Sequence, residues 1–466
     1  MKKIVIGVIC LAGFVQAQTV QDLNSLSAYS NEINAGSARY LGMGGSMGAL
    51  GGDISSIEQN PAGLAVAIAS DVNVTVGLNT YNNQAKFGNT YETKDNNLMF
   101  QNVGATFVFK PNAGNWNRFS VGIKYSQENL DNWIRLGRNE NIRTSLVDSI
   151  GTTNYTMNGY QDQVVGFKTK MSLNFGATYN ERLFLGLGLN MHETQYDNYI
   201  VFDEDTNGQN YRYDLNGSPY SAIGTGVSVS AGVIGKINDN VRLGLAYHSP
   251  VWYGNIEENY YADLEVSENN YVYDLWYSQY DRNSNGRLVA SAGFVLAKSL
   301  ALNLDYTLNM NSSTKLKPSG NFNTVNSFLE DNYKSSSEVR VGGEYRLDKF
   351  RLRAGYNYVQ SPFDELSLAA DMGNGQAGTY NFDNAIRGDI NRFSVGAGYD
   401  FGGFYLDAAY QFQNQKYSYV FGNGEYVDYD AGDVYLATIP LHADHNFVSE
   451  IENKRGLFLL TAGWQF

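Results

Sequence analysis

One acidic stretch has the spacing of a calcium-binding loop. Asp203, Asp205 and Asn207 alternate before Gly208, and Asp214 stands at the twelfth position of the stretch. Calcium prefers carboxylate and carbonyl oxygens, and loops of this length supply them at such intervals. The same residues also suit an ordinary solvated turn, and no helical pattern flanks them. A calcium site at Asp203, Asp205, Asn207 and Asp214 is therefore one expectation to compare with the structure.

The other residue types that support chemistry are few. The four histidines are His192, His248, His442 and His445, and the last two share one segment that could hold haem or a metal ion. The single cysteine, Cys10, lies in an apolar N-terminal run, so cysteine catalysis and cysteine metal sites are not expected in the mature chain. No nucleophile, base and orienting group form a recognisable set. We therefore expect no enzymatic activity and no cofactor.

The N-terminus and the composition favour an exported chain that crosses a membrane with strands. Lys2 and Lys3 precede the short apolar run 4–15, and Ala17 completes a small-residue cleavage site, so residues 1–17 are predicted to be a signal peptide. The chain has 35 Tyr and 24 Phe but only 7 Pro, which suits uninterrupted strands with aromatic ends. The formal charge of -14 argues against a nucleic-acid partner.

Alternation with a period of two residues recurs along the rest of the chain and predicts strands. In one segment Met171, Leu173 and Phe175 alternate with polar or small residues, and the last segment ends on Phe466 in such a register. The links alternate between tight turns and long polar loops, as they do at the two ends of an outer-membrane barrel. The predicted strands are 71–79, 99–110, 117–126, 169–180, 182–200, 222–236, 240–253, 287–298, 300–311, 336–347, 350–360, 391–402, 404–418 and 456–466.

This count predicts an all-β fold, a 14-stranded antiparallel transmembrane β-barrel. Because the number is even, both termini are expected on the periplasmic side of the outer membrane of a Gram-negative cell. Residues 18–68 are rich in Gly and Ala and lack sustained alternation, so they form either a domain on the periplasmic side or a plug in the lumen, here called the hatch. The predicted boundaries are 1–17 for the signal peptide, 18–68 for this N-terminal segment and 69–466 for the barrel with long extracellular loops.

Charged side chains occupy inward positions of the predicted strands. A Lys or Arg that faces lipid at mid-depth costs about 2–4 kcal/mol, so these side chains are expected to face the lumen. Two interpretations stay open: a salt-bridged wall that holds the hatch, or a ladder that binds substrate. The densest group comprises Glu338, Arg340, Glu344, Arg346, Arg351 and Arg353.

The glycine-rich segment 37–53 and the following Asn-Pro-Ala-Gly at 60–63 resemble the hatch of the FadL/TodX family. Members of this family are outer-membrane transporters of long-chain fatty acids and other hydrophobic compounds. Segments 242–250, 352–362 and 389–399 are similar to barrel strands of that family, and the long hatch is closer to Bacteroidetes-type members. The resemblance implies that residues 18–68 are an N-terminal hatch that plugs the lumen of the barrel. It implies a hatch motif at Asn60, Pro61, Ala62 and Gly63, and hatch packing by Gly42, Gly44, Gly45 and Gly48. The alternative, that the motif at 60–63 only starts the barrel sheet, stays open.

The resemblance implies passive uptake of a hydrophobic small molecule, such as a long-chain fatty acid, by a monomer surrounded by outer-membrane lipid. In the family, the solute leaves laterally through a gap at a kink in the third strand. Here the predicted third strand, 119–125, alternates without a kink residue beyond Gly122, so a straight strand is expected. Two alternatives stay open: a lipid-binding or secretion-associated scaffold protein, and a haem-type uptake receptor. A tunnel beside the hatch would favour transport, whereas a solid polar plug would favour a scaffold.

Overall fold

The computed structural model shows a chain that is almost entirely β-sheet. Within the described residues, no helix is long and apolar enough to cross a membrane. The structure describes residues 26, 28–30, 32–111, 114–138, 143–147, 152–206, 208–214, 220–267, 270–363, 365–371, 377–384, 387–420, 425–430, 433–438 and 448–466.

The described strands are numbered here in chain order. The first twelve are β1 (Asp71–Phe87), β2 (Asn89–Phe109), β3 (Trp116–Asn129), β4 (Asn132–Gly137), β5 (Arg143–Val147), β6 (Thr152–Tyr179), β7 (Leu183–Thr206), β8 (Gln209–Asp214), β9 (Tyr220–Lys236), β10 (Val241–His248), β11 (Trp252–Ser267) and β12 (Asn270–Asn283). The remaining twelve are β13 (Gly286–Leu296), β14 (Leu300–Met310), β15 (Lys315–Lys317), β16 (Ser336–Leu347), β17 (Phe350–Val359), β18 (Glu365–Asp371), β19 (Ala377–Asp383), β20 (Ile390–Asp400), β21 (Phe404–Val420), β22 (Glu425–Asp430), β23 (Asp433–Thr438) and β24 (Val448–Gln465).

Fourteen of these strands form a closed antiparallel wall, as the alternation predicts. The last strand pairs with the first, from Asp71 opposite Gln465 to Lys86 opposite Glu450, so the sheet has no free edge there. The prediction of a 14-stranded antiparallel barrel is thus confirmed. The wall consists, in order, of β1, β2, β3, β6, β7, β9, β10, β13, β14, β16, β17, β20, β21 and β24.

The outer face of the wall is apolar, which reverses the usual arrangement of a soluble protein. Along β7, Leu185, Leu187 and Leu189 are exposed, whereas the alternate residues of the strand point into the lumen. Such alternation lets lipid cover one face of each strand while the other face lines the interior. At the end of the barrel where the tight turns lie, aromatic rings pack against one another. The ring centroids of Phe404 and Trp464, for example, are 5.1 Å apart. An aromatic girdle at a rim is typical of the membrane interface.

The strands continue far beyond the apolar belt, which alternation alone did not predict. Residues 80–98, expected as a loop, form the upper half of the hairpin between β1 and β2, with the turn at Gly88. Likewise, residues 254–286 contain the paired strands β11 and β12. The backbone ladder continues, but the outward residues there are polar, as with Glu92 and Lys94. The signal of apolar alternation therefore ends before the sheet does.

Residues 32–66 fill the lower lumen with short turns and helices rather than strands. They contain helix α1 (Ala38–Gly42) and two 3-10 helices, Ile54–Glu58 and Pro61–Val66. Ser37 caps α1, because the Tyr40 amide donates to its hydroxyl at 3.0 Å. Nearly all of this segment is buried inside the barrel. A second helix, α2 (Asn323–Asn332), lies between β15 and β16 and packs its apolar side against a cluster that includes Leu316.

Candidate functional site

The turn at Asn60 fastens the end of the hatch to the barrel wall. The Ala62 amide donates to the Asn60 side-chain oxygen at 3.0 Å, which caps the helix Pro61–Val66. The Asn60 side-chain nitrogen donates to the carbonyl of Val233 on β9 at 3.2 Å. Pro61 opens the helix, where its missing amide hydrogen costs nothing. The Gly63 carbonyl accepts from the Gly52 amide at 3.0 Å and so ties the turn to the earlier part of the hatch.

Glycines on both surfaces bring the hatch and the wall into backbone contact. A side chain on Gly186 of β7 would overlap the backbone of Pro61 and Ala62. On the opposite side of the lumen, Gly44 has a φ of +66° and packs against Gly355 of β17. A Cβ atom cannot fit at such contacts without a shift of backbone. An added Cβ atom would also lie within 3.4 Å of the hatch at the inward glycines Gly104, Gly122, Gly176, Gly224, Gly232, Gly244, Gly293, Gly342 and Gly396.

The remaining predicted hatch glycines also lie against the wall or inside the hatch. Gly42 faces Ala409 and Gly396 at ordinary contact distance. Gly45, with a φ of +72°, faces the ring of Tyr40 within the hatch. At Gly48 a side chain would overlap Ser291, and the Gly48 amide donates to both carboxylate oxygens of Asp305 at 3.2 Å.

A buried carboxylate on the hatch holds two lysines of the wall. The Lys124 ammonium donates to one oxygen of Glu58 at 2.9 Å, and Lys170 donates to the other at 2.8 Å. All three side chains are at most 3% exposed. Burial alone would raise the pKa of Glu58, but the two lysines hold that pKa well below its usual range. Arg287 adds a hydrogen bond to the Glu58 carbonyl at 3.0 Å.

The predicted lumen charges divide into two networks and a rim pair. In the upper network, Arg340 donates to the side chain of Gln59 on the hatch at 3.1 Å and pairs with Glu338. In the lower one, Glu344 accepts from Arg39 of the hatch at 2.9 Å and from Arg353 at 2.6 Å.

The rim pair, Arg346 and Arg351, lies near the tight turn between β16 and β17. Arg346 donates to the Asp348 carbonyl at 3.3 Å, and Arg351 donates to the same carbonyl at 2.8 Å. Arg351 also pairs with Asp400 at 3.1 Å. In the described part of the chain, no hydrogen bond or ion pair links either arginine to the hatch.

The segment before the hatch helices extends upward through the lumen. Tyr29 lies in an aromatic cluster, with Tyr253 edge-on at 5.1 Å between centroids and the Arg282 guanidinium 5.0 Å above its ring. Glu32 pairs with Arg392 at 3.2 Å and with Arg340 at 3.6 Å. Burial would raise the pKa of Glu32, but these arginines and Arg387 lower it to about 2.

A cavity of about 280 Å³ lies above the hatch, beside this N-terminal segment. Leu26, Ala28, Ser30, Glu32 and Asn34 form one side of it, and the strands that contribute to the other sides are β1, β2, β3, β4, β6, β7, β20, β21 and β24. Its lining mixes apolar side chains such as Leu130 and Leu457 with amides such as Gln411 and Gln413. The interior is therefore neither a solid plug nor a wholly apolar tunnel.

The wall beside this cavity has a seam between β2 and β3. These strands pair from Phe109 opposite Phe119 up to Asn102 opposite Ser126, and above that point no ladder joins them in the described residues. Strand β3 then ends at Asn129. After residues 130–131, β4 lies on the luminal side of the first hairpin, where the Trp133 carbonyl accepts from Asn83 at 2.8 Å. The expectation of a straight strand concerned 119–125, where the ladder with β2 is regular, and the interruption lies above that range.

Local hydrogen bonds at 129–131 mark the end of β3, three residues above its last pair with β2. The Asp131 amide donates to the Asn129 side-chain oxygen at 2.8 Å, and the Asn129 amide group donates back to the Asp131 carboxylate at 2.9 Å. The other carboxylate oxygen of Asp131 accepts from the Gly166 amide at 2.9 Å. Asn and Asp side chains that bond to nearby backbone compete in this way with a regular sheet.

The architecture of hatch, cavity and seam was compared with known proteins. A Pseudomonas aeruginosa FadL homologue matches with a TM-score of 0.58 at 16% identity, over 93% of this chain and 99% of that chain. The toluene transporter TodX of P. putida matches with 0.55 at 12% identity, over 93% and 99%. The CymD monoaromatic hydrocarbon channel matches with 0.54 at 12% identity, over 94% and 99%. The chain has the barrel fold of FadL and TodX. No protein-family model and no curated protein sequence matches the chain.

The predicted calcium stretch forms a hairpin of this FadL/TodX-type barrel. Asp203 stands opposite Arg212 and Asp205 opposite Asn210, in the ladder between β7 and β8. The Asp205 carboxylate accepts from the Gly208 amide at 2.8 Å and lies 3.7 Å from Arg138. Asp214 stands opposite Val201, and Asn207 lies outside the described residues. Among the described residues no cluster of His, Cys, Asp and Glu could hold a metal ion.

Two of the four histidines line the lumen, and the other two, His442 and His445, fall outside the described residues. His248 lies 3.1 Å from the carbonyl of Gln59, and His192 lies 2.8 Å from the Ser228 hydroxyl. Both rings are buried within hydrogen-bonding distance of a neighbour.

The cavity residues are the part of the site that sequence reasoning missed. Gln411, Gln413 and Gln415 occupy successive inward positions of β21, and Asn453 and Arg455 do so on β24. Inward amides are ordinary in the lumen of a barrel, so the alternation in sequence does not distinguish these residues from the rest of the wall.

Proposed function

We propose that the chain is an outer-membrane channel for passive uptake of a hydrophobic small molecule. The observation that carries this proposal is a cavity above the hatch that lies against the unpaired seam of the wall. Met99 and Gln101 on β2 and Asn129 beyond the seam all line this cavity. A solute held there would reach lipid by moving sideways past the seam, which the hydrogen bond from Asn97 to Asp131 spans at 2.7 Å.

The proposed orientation rests on the difference between the two ends of the barrel. The end with the long hairpins faces outward, and the end where the first strand begins and the last strand finishes faces the periplasm. A solute is captured among the outer hairpins, occupies the cavity and then leaves beside β2. No energy source is required, because the concentration gradient drives the flow and apolar burial of about 25 cal/mol per Å² favours each bound state. The surrounding partner is outer-membrane lipid.

Two other functions were open from the sequence. A lipid-binding or secretion-associated scaffold protein needs no cavity behind a seam, so the transport proposal accounts for more of the interior. A haem-type uptake receptor would depend on His442 and His445, on which the described structure does not bear. Transport is also the function given in the names of the similar toluene transporter and hydrocarbon channel.

The proposal is tested by uptake in a bacterial host that lacks its own channel for hydrophobic compounds. The probes are a long-chain fatty acid, an alkane and toluene, each radiolabelled, and the comparison is with cells that carry an empty vector. Wild-type protein should raise the uptake rate of at least one probe several-fold. If no probe enters faster than in the vector control while the barrel is folded in the membrane, the proposal is wrong.

A pair of variants at Met99 tests the lateral route. Met99 faces the cavity on the edge of β2 that has no upper partner. Met99→Trp should narrow the exit and slow uptake, whereas Met99→Ala should leave it equal or faster. Equal slowing by both variants would contradict exit at the seam, because the two side chains change the opening in opposite directions.

A further inference from the structure

The two flanks of the cavity differ in chemistry. On the flank formed by β21, β24, β1 and β2, the lining includes the amide side chains of Gln411, Gln413, Gln415, Asn453, Asn79 and Gln101. The other flank carries most of the aliphatic lining, Leu26, Leu130, Ile134 and Val164, together with Phe363, among polar side chains that include Asn129, Asn132 and Asn198. Several of these amides already bond to the protein: Gln411 accepts from Asn34 at 2.7 Å, and Gln415 donates to the Gly388 carbonyl at 3.1 Å. A purely apolar solute would offer no partner to the amide atoms that remain, and each buried group left unpaired costs about 1–3 kcal/mol.

The strand register groups the amides around Leu457 and Arg455 of β24; this group is called the amide patch. Gln411 stands opposite Leu457, Gln413 opposite Arg455 and Gln415 opposite Asn453 in the ladder between β21 and β24. On the other side of β24, Asn79 of β1 stands opposite Leu457. Inward side chains at directly opposite positions lie about 4.5–5.5 Å apart between Cβ atoms, so a ligand of modest size can contact several of them together.

Part of this hydrogen-bonding capacity is unused. Gln101 is 1% exposed, and its side-chain oxygen has no hydrogen-bond partner among the described residues. Its nitrogen makes only a long contact of 3.8 Å with the Met99 sulfur. A buried acceptor in a cavity without a donor is a place for the donor of a ligand.

The charges that line the cavity are largely engaged with one another. Glu32 pairs with Arg392 and Arg387, and Lys168 pairs with Glu128 at 3.3 Å. Asp162 accepts hydrogen bonds from Tyr419 and Asn198.

Arg455 is the exception. It donates to the Asp131 carbonyl at 3.1 Å and to Asn453 at 3.2 Å, with no carboxylate in salt-bridge range among the described residues. The cavity thus presents an acceptor at Gln101, donors at Arg455 and neutral amides of both kinds between them. A carboxylate could satisfy Arg455 but offers no donor to Gln101, whereas a hydroxyl group is both donor and acceptor.

We propose that this cavity binds amphipathic molecules with a neutral, hydroxyl-bearing head and a short apolar body. The head lies on the amide patch of β21, β24 and β2, and the body lies against Leu130, Val164 and Phe363. The cavity volume of about 280 Å³ corresponds to a ligand on the order of ten non-hydrogen atoms. This assignment rests on the proposed uptake function and narrows its substrate class.

The test uses three probes with the same number of non-hydrogen atoms: octane-1,2-diol, octanoate and decane. Binding of each radiolabelled probe to the full-length protein in lipid nanodiscs is measured, with empty nanodiscs as the background. The diol should bind about tenfold more tightly than either of the others, the factor that about one net hydrogen bond supplies. Binding of decane as tight as that of the diol would overturn the assignment. If octanoate binds most tightly, the assignment of a neutral head is also wrong, and Arg455 selects a carboxylate instead.

Variants at the amide patch provide the second arm. Gln413→Leu should remove the preference for the diol over decane while leaving the affinity for decane equal or higher. Because Gln413 also accepts from Arg392 at 2.8 Å, Gln415→Leu is made in parallel, and the folded state of each is checked by its heat-modifiable migration on a gel. A preference for the diol that survives in both folded variants would contradict the assignment.

The two proposals fail in different ways. Loss of the diol preference together with normal uptake of fatty acid or toluene would refute only the substrate class. A clear diol preference without uptake of any probe, the diol included, would refute the channel and leave a binding protein.

Discussion

Neutralising Glu58 should release the hatch without unfolding the barrel. Glu58→Gln keeps the shape of the side chain but leaves Lys124 and Lys170 buried with no opposite charge, where they now lie within 2.9 Å of the carboxylate. Removing one partner of a buried ion pair costs about 3–5 kcal/mol, because the remaining charge stays desolvated. The barrel ladder contains no hatch residue, so the cost falls on the seating of the hatch.

Hydrogen exchange of peptides from residues 32–66 measures this seating directly. A loss of 3–5 kcal/mol raises the population of the unseated hatch, and with it the exchange rate, by about 10²–10⁴-fold. The matched control is Glu450→Gln, which breaks the exposed pair with Lys86 and should not change hatch exchange. Hatch exchange at the wild-type rate in Glu58→Gln would refute the view that this carboxylate anchors the hatch.

A compensated variant and the pH dependence distinguish charge from packing. Glu58→Leu combined with Lys124→Met and Lys170→Met should restore most of the protection, because a well-packed apolar replacement of a buried ionic cluster is often nearly neutral. Since the pKa of Glu58 is depressed in the folded state, its contribution is complete above the ordinary value of about 4.3 and is lost as the pH falls below it. Hatch exchange, corrected for the intrinsic rate, should therefore be constant from neutral pH to about 5 and should increase under more acidic conditions.

Two further predictions concern the fit of the hatch. Gly186→Val should displace the turn at Pro61 and expose the hatch to protease. Gly235→Val is the control, because a side chain there meets no atom within 4 Å, and it should not increase cleavage. Equal cleavage of the two variants would contradict close packing as the cause. Asn60→Ala with Pro61→Ala removes the cap and the bond to Val233, so hatch exchange should rise only about tenfold, the effect of about 1 kcal/mol or slightly more. An effect as large as that of Glu58→Gln would contradict the expectation that Glu58 holds the hatch more strongly than the turn at Asn60 does. The rate of uptake should also change, upward if the loosened hatch opens a path and downward if it obstructs the lumen.

The barrel could be predicted from sequence because lipid imposes a simple rule on each strand. Outward residues such as Leu187 and Phe458 must be apolar, and inward residues are free to be polar, so a period of two residues marks every wall strand. Above the membrane this rule no longer applies, since water solvates both faces. The upper halves of the hairpins therefore carried no signal, although their ladders are as continuous as those below.

The site was less accessible from sequence, for a different physical reason. Charges such as Arg340 and Glu344 could be assigned to the lumen, but their partners, Gln59 and Arg39, lie far away in the chain. Nothing local distinguishes them from Arg346, which lies at the rim. Glu58 was not singled out, because a lone glutamate in a glycine-rich segment shows its role only when Lys124 and Lys170 are placed beside it. The break at 130–131 likewise depends on a long-range bond, from the Gly166 amide to Asp131.

The anchors and the cavity occupy different parts of the hatch, and this separation determines what a bound solute can disturb. Residues 38–66 make the glycine contacts and hold Glu58, yet none of them lines the cavity. The cavity is bounded instead by Leu26, Ala28, Ser30, Glu32 and Asn34 of the preceding segment. A solute that enters therefore contacts these five residues and does not contact residues 38–66 below them. The ion pairs of Glu32 and the packing of Tyr29 hold this upper segment in place. We expect Glu58→Gln to loosen the hatch while leaving the affinity for the diol unchanged, because none of residues 38–66 lines the cavity.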